Sequence, residues 1–331
     1  MSPVDNLMDA AKNKKRRGFK EQLHSLKFLL KNSVTIVGDN REIMYPFVAM
    51  VVYNFVVATL SFMGIAFLFF GNVITILMGI AMIGFAILLW VYEFFFFAYQ
   101  KTRLSWLIYE MLCGRERSFS DARKHTSQLK SQIRKIALLD MLKTWIQSQK
   151  SSRGGIMSTI INLAIAGLAK VIDLAKHYML PAVAIDGLGV RETIEQMKTL
   201  KERVPETLVG MFGVDILGNI VIKLIAPVYI LIGAIGVALS VAMGWIFPSF
   251  MVIDLDGLAI AWPVLLAMLF FIKSISILLS NLTACLKVSY FTTFYTEITH
   301  REELTPKLQA ELESFLKLEE DANLHEALPT S

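Results

Sequence analysis

Cysteine is scarce in this chain of 331 residues, where Cys113 and Cys285 stand far apart. Two such residues build neither a disulfide framework nor a metal-ligand spacing, so both read as reduced, inert thiols. Charge is scarce as well, at 18% against about 25% in soluble domains. The deficit is concentrated. Long uncharged runs alternate with densely charged ones, which is how a membrane chain reads. Catalytic patterns are missing too: there is no GxSxG, HExxH, Walker or dinucleotide motif, and the Ser and His residues show no nucleophile spacing. The chain therefore reads as non-enzymatic, with no cofactor and no metal. No signal peptide is visible ahead of the first apolar run near Tyr45, which reads as a retained anchor, and no lipidation motif is present.

What is there is hydrophobic: 55% of the residues and a mean hydropathy of +0.54. The apolar runs predict an all-α polytopic membrane protein with four full spans in two hairpins. Residues 46–70 carry no charge, and at ~1.5 Å per residue they cross a ~30 Å hydrocarbon layer. Gly71-Asn72 makes a tight turn, and residues 73–98 return with Glu93 as their only charge. The second hairpin is expected at about 226–247 and 259–285. Between its two spans, residues 248–258 hold two acids and no Lys or Arg, which suits an outer loop.

The charged runs set the topology. Residues 1–44 are basic, and Leu23, Leu26, Leu29, Leu30 and Val34 recur at helical spacing, as in a helix lying in the membrane interface or docked on the protein's own cytoplasmic face. Residues 100–155 carry twelve Lys or Arg against four acids, a balance of +8. They belong to a cytoplasmic helical insert spanning about 100–206. Ser118-x-x-Asp121 resembles a capping box and predicts a helix from near Phe119. Leu129, Ile133, Ile136, Leu139, Met141 and Leu142 continue an apolar face. The tail, 296–331, holds nine acids against three bases, a balance of −6. Leu304, Leu308, Leu312 and Leu316 form one helical stripe there, and the last dozen residues read as disordered. Both termini are expected in the cytoplasm, with the protein in a bacterial inner membrane. The net charge of +5 needs no nucleic acid partner, because the bases flank the spans.

Two apolar stretches are too short or too broken to span. Residues 156–169 give only ~21 Å, and a full crossing would put Arg191, Lys198, Lys201 and Arg203 outside, so about 156–176 reads as re-entrant. Residues 207–223 read as an inner half-helix. Residues 188–204 read as a charged surface helix.

Polar stripes are the candidate sites. Lys273, Ser276, Ser280, Thr283 and Lys287 share one face of the last span. Such a stripe is either helix-packing contact, with the lysines reaching to the interface, or a solute or ion path. Asp215, Asn219 and Lys223 form a second stripe at i, i+4 and i+8. Asp215 is a partner for Lys273 on one reading, and the stripe is an interfacial polar face on the other. Lys170, Asp173, Lys176 and His177 suit a surface ion pair better than a proton relay. Asp254-x-Asp256-Gly257 shares the opening of a calcium loop, but no acid follows to close one.

The layout resembles a known family. LKFLLKNSVTIVGDNREIMYPFVAMVV, MLCGRERSFSDARKH and YMLPAVAIDGLGVRETIEQMKTL are similar to an uncharacterised prokaryotic integral membrane family. That family is loosely similar to the membrane domain appended to some glycerophosphodiester phosphodiesterases. The resemblance covers about residues 25–295, with Pro46 opening the first span, a short strand-like run after Pro181, and Asp186 where Glu is expected. It implies a multi-helix membrane fold and transfers no catalytic residue.

The leading functional expectation is a non-enzymatic protein of membrane organisation, or a subunit of a membrane assembly. Its partners would be the lipid bilayer, anionic headgroups at the basic face, and other subunits in a homo- or hetero-oligomer. The alternative is a channel or transporter using the polar stripes. A lipid-active enzyme has almost no residue support.

Overall fold

The structure is a computed structural model that describes residues 41–148, 176–199, 225–255 and 257–306. Outside these residues lie the basic start with the helix expected there, nearly all of the re-entrant element expected at about 156–176, the half-helix expected at 207–223 with Asp215, Asn219 and Lys223, and the tail beyond Pro306.

Helix α1 runs over Arg41–Phe69, α2 over Val73–Leu112, α3 over Phe119–Gln128 and α4 over Lys130–Ser148. Helix α5 covers 176–186, α6 is Val190–Thr199 and α7 is Ile225–Gly244. Strands β1 (Val252–Leu255) and β2 (Leu258–Ala261) form a small antiparallel hairpin, and α8 spans Trp262–Thr299. The fold is all-α apart from this hairpin, and α1, α2, α7 and α8 are long and apolar enough to cross a membrane.

Local chemistry explains the turns. Gly71 holds a left-handed conformation at φ 69°, which glycine adopts without a Cβ clash. The Asn72 side chain then accepts from the Ile74 amide at 3.2 Å and starts α2. The predicted capping box is formed: the Ser118 and Asp121 side chains each accept from the other's backbone amide. In the β-hairpin, Asp254 accepts from the Gly257 amide at 2.9 Å, with Gly257 at φ 90°. Asp254 and Gly257 thus belong to a turn, and no cluster of metal-ligating side chains is found among the described residues.

Three sequence expectations are corrected. Helix α1 starts ahead of Pro46, which lies buried within it instead of opening the span. The run after Pro181 is helical, not strand-like. Tyr178, Met179, Leu180, Ala182, Val183 and Ala184 are all buried, and a continuously buried run carries no helical or strand period to read. The face expected on α4 divides: Ile133, Ile136 and Ala137 are buried, whereas Leu138, Met141, Leu142 and Trp145 are exposed.

The spans also continue as helix far beyond the apolar runs. At ~1.5 Å per residue, α2 reaches ~60 Å, about twice the hydrocarbon thickness. Its last third is buried on every side, at Thr102, Leu104, Ser105, Leu107, Ile108 and Leu112 among others. The main core sits here, on the basic side. Leu104, Leu107, Ile108 and Leu112 cluster with Ile133, Ile136, Met179, Val183, Val288 and Leu304. Within the spans, by contrast, Leu77, Ile80, Leu88, Ile230, Leu231 and Phe271 are exposed, as lipid-facing side chains are.

Candidate functional site

The predicted stripe on α8 faces a real space. Helix α1 packs along α2 at a close crossing, where a Cβ built on Gly79 would lie 2.7 Å from the Gly64 carbonyl. Small residues allow such approach. Tyr53 Oη donates to the Leu89 carbonyl at 2.7 Å, and its ring stacks on Phe96 with centroids 4.5 Å apart. Helix α8 meets α2 at the basic end, where Ser105 and Thr292 share a buried hydrogen bond of 2.7 Å. Within the span a cavity of about 480 Å³ lies between α1, α2 and α8.

Its polar lining is Asn54 and Ser61 from α1, Glu93 from α2, and Lys273, Ser276 and Ser280 from α8. Trp90, Ile83, Phe62 and Ile277 supply apolar wall. Both Lys273 and Lys101 act electrostatically on Glu93. Toward the opposite end rings meet across the α1–α8 interface: Phe62 meets Phe270 at 5.4 Å, and Phe69 stacks on Trp262 at 4.9 Å. Lys273 and Glu93 thus line one space inside the span, with aromatic pairs on one side of it.

Three of the predicted residues, Lys273, Ser276 and Ser280, come together here. Thr283 does not line this space, and its hydroxyl donates to its own helix at the Leu279 carbonyl, 2.9 Å away. Ser280 likewise donates to Ile277 O at 3.2 Å. These bonds stay within α8, so neither hydroxyl glues helices through them. Asp215, Asn219 and Lys223 lie outside the described residues. The sequence reading passed over Glu93, Asn54 and Ser61 as site residues. Their signal was present: Glu93 is the single charge of its run, and Asn54 and Ser61 stand two helical turns apart on one face.

A second polar cluster ties the ends of α2, α5 and α8. Tyr109 Oη donates to Glu303 at 2.8 Å, and Arg115 reaches the same oxygen at 2.6 Å. His300 bridges Asp186 at 2.8 Å and Glu303 at 3.1 Å, while Tyr295 donates to Asp186. Hydrogen bonds from Tyr109 and Arg115 hold the Glu303 carboxyl below its usual range. Burial, and then the bond to Asp186, pushes the Tyr295 phenol well up. This arrangement fixes helix ends and presents no activated nucleophile. Compared with family models, curated proteins and solved structures, the chain matches none.

Proposed function

We propose that this is a multi-pass inner-membrane protein, with both termini cytoplasmic, that passes a small polar or charged solute through the space between α1, α2 and α8. One observation carries the reading: Glu93 and Lys273 line a common cavity within the span together with Asn54, Ser61, Ser276 and Ser280. Ionisable side chains at membrane depth are costly, and their usual setting is a pathway or a water-filled cavity. The aromatic pairs Phe62–Phe270 and Phe69–Trp262 lie between α1 and α8 on one side of this space. The role is non-enzymatic.

The test is liposome swelling in glycerol and in potassium chloride, with the full chain reconstituted. Wild-type vesicles should swell faster than empty ones, and Lys273→Ala and Glu93→Gln should slow the excess rate, as expected for ionisable pathway residues. Equal rates in all three proteins would remove the stripe from consideration.

A second reading, membrane organisation or assembly with other subunits, is favoured by a separate observation. Leu138, Met141, Leu142 and Trp145 are exposed at i, i+3, i+4 and i+7 on α4, apart from its buried Ile133, Ile136 and Ala137, the spacing of a helix face that seats on an apolar surface.

A further inference from the structure

Helix α4 keeps to one depth of the molecule. Near its start, Lys130 and Arg134 line a groove of about 460 Å³ against Tyr92, Phe96, Tyr99 and Arg103 of α2. Further along, Ile136, Asp140 and Lys143 share a space of about 130 Å³ with Lys101 of α2, Lys176 of α5 and Lys287 of α8. From Lys130 to Lys143, α4 thus meets the same stretch of α2, so it crosses α2 instead of running along it. At ~100° per residue, Lys130, Arg134, Leu138, Met141 and Trp145 fall within about 80° of one another around α4. Ile133, Ile136 and Ala137, on the adjoining face, are buried. The face that carries the two groove cations is therefore the one that exposes Leu138, Met141 and Trp145.

Depth and charge decide what the groove meets. Tyr92, Tyr99 and Arg103 lie roughly 28, 39 and 45 Å along α2 from Val73, at ~1.5 Å per residue. The groove therefore runs from the edge of a ~30 Å hydrocarbon layer out through the headgroup zone, where tyrosines and long basic side chains settle. Among the described residues that line it are three cations and no carboxylate. Lys130 and Arg134 are exposed, and among the described residues neither side chain forms a hydrogen bond, ion pair or ring contact. Arg103 donates to Thr126 Oγ1 and Gln100 Oε1, both at 3.3 Å, and both acceptors are neutral. Guanidinium groups match phosphate oxygens in pairs, and the rings of Tyr92 and Phe96 offer an acyl chain an apolar wall. A helix face combining bases with Trp and Leu is the kind that lies in the membrane interface.

We propose that the groove between α2 and α4 seats one anionic phospholipid. Its phosphate meets Arg103, Lys130 and Arg134, and an acyl chain lies along Phe96 and Tyr92. The site is independent of the solute pathway, since the groove and the cavity within the span share no lining residue.

Native mass spectrometry of the full chain in detergent, with phosphatidylglycerol and phosphatidylcholine added at equal concentration, tests the site. Wild type should retain phosphatidylglycerol in preference. Lys130→Gln/Arg134→Gln should weaken that preference by about thirtyfold, the effect of two cations near an anionic headgroup. Lys124→Gln/Lys135→Gln removes two charges at exposed positions outside the groove and should leave the preference unchanged. Equal retention of the two lipids by wild type would overturn the site, and so would equal losses in the two double variants, because diffuse charge behaves that way. Displacement of the bound phosphatidylglycerol by inorganic phosphate would make the occupant a free anion and overturn the lipid. A second measurement needs no variant. Phosphatidylglycerol with a photoreactive group at the top of one acyl chain, in nanodiscs holding wild type, should label α2 within residues 92–103 or α4 within 130–134. Labelling confined to other segments would reject the groove.

Discussion

The two halves of this molecule obey different rules. In the membrane half, large apolar side chains such as Leu88 and Ile230 are exposed, and helices meet through glycines and rings. In the basic half, the same helices bury polar and apolar residues together: Thr102, Ser105, Thr292 and Thr296 lie among Leu104, Ile108 and Val288. The solvent explains the difference. Lipid tails are as apolar as the side chains, so nothing drives Leu88 inward, and contact in the span comes from close packing. On the aqueous side the hydrophobic effect operates, and every buried hydroxyl needs a bond. The Ser105–Thr292 pair and the Thr296 bond to the Thr292 carbonyl meet that need.

This contrast predicts a graded series. The largest effect belongs to the aqueous core. Leu112→Ala, at a fully buried position, should cost about 2–5 kcal/mol, read as a large drop in melting temperature in detergent. Leu88→Ala, on the exposed face of α2, should change it by less than about 1 kcal/mol. Equal losses would erase the distinction.

Next comes helix approach within the span. Gly79→Ala places a methyl against the Gly64 backbone carbonyl and should cost about 1–3 kcal/mol of overpacking. Gly84→Ala, on the same helix but with open space at its Cβ, should be neutral or slightly stabilising. Loss at both positions would mean that helix geometry, not contact, sets the effect.

Tyr109→Phe removes the hydrogen bond to Glu303 and should cost about 1 kcal/mol, read by the same melt.

The smallest effect is the pH slope. The Glu303 carboxyl is held low by Tyr109 and Arg115. At Asp140, burial alone would raise the pKa, but Lys176 and Lys101 outweigh it and hold the carboxyl below its usual range. A depressed acid contributes stability above its unfolded pKa of about 4, and that contribution is lost as pH falls through the lower folded value. Melting temperature should therefore fall on acidification below that point, with a shallower slope in Glu303→Gln. An unchanged slope would show that the Tyr109–Arg115–Glu303 cluster adds nothing.

Much of the fold was legible in the sequence because its causes are local. Apolar length alone marks the four spans, Ser118 and Asp121 announce the start of α3, and Gly71-Asn72 closes the first hairpin through a left-handed glycine and a capping side chain. Lys273, Ser276 and Ser280 were legible as one face by helical spacing. What they face was not. Only the tertiary structure sets Glu93, Asn54 and Ser61 across from them, because those residues come from other helices and no spacing within one helix reports a partner on another. The same holds for Lys101, Asp140, Lys176 and Lys287, brought from four helices into one space. The long extension of α2 and the helix through Pro181 were hidden for a related reason: nearly continuous burial erases periodicity. Composition by itself determined that the chain enters a membrane, whereas packing of the helices decided where its charges meet.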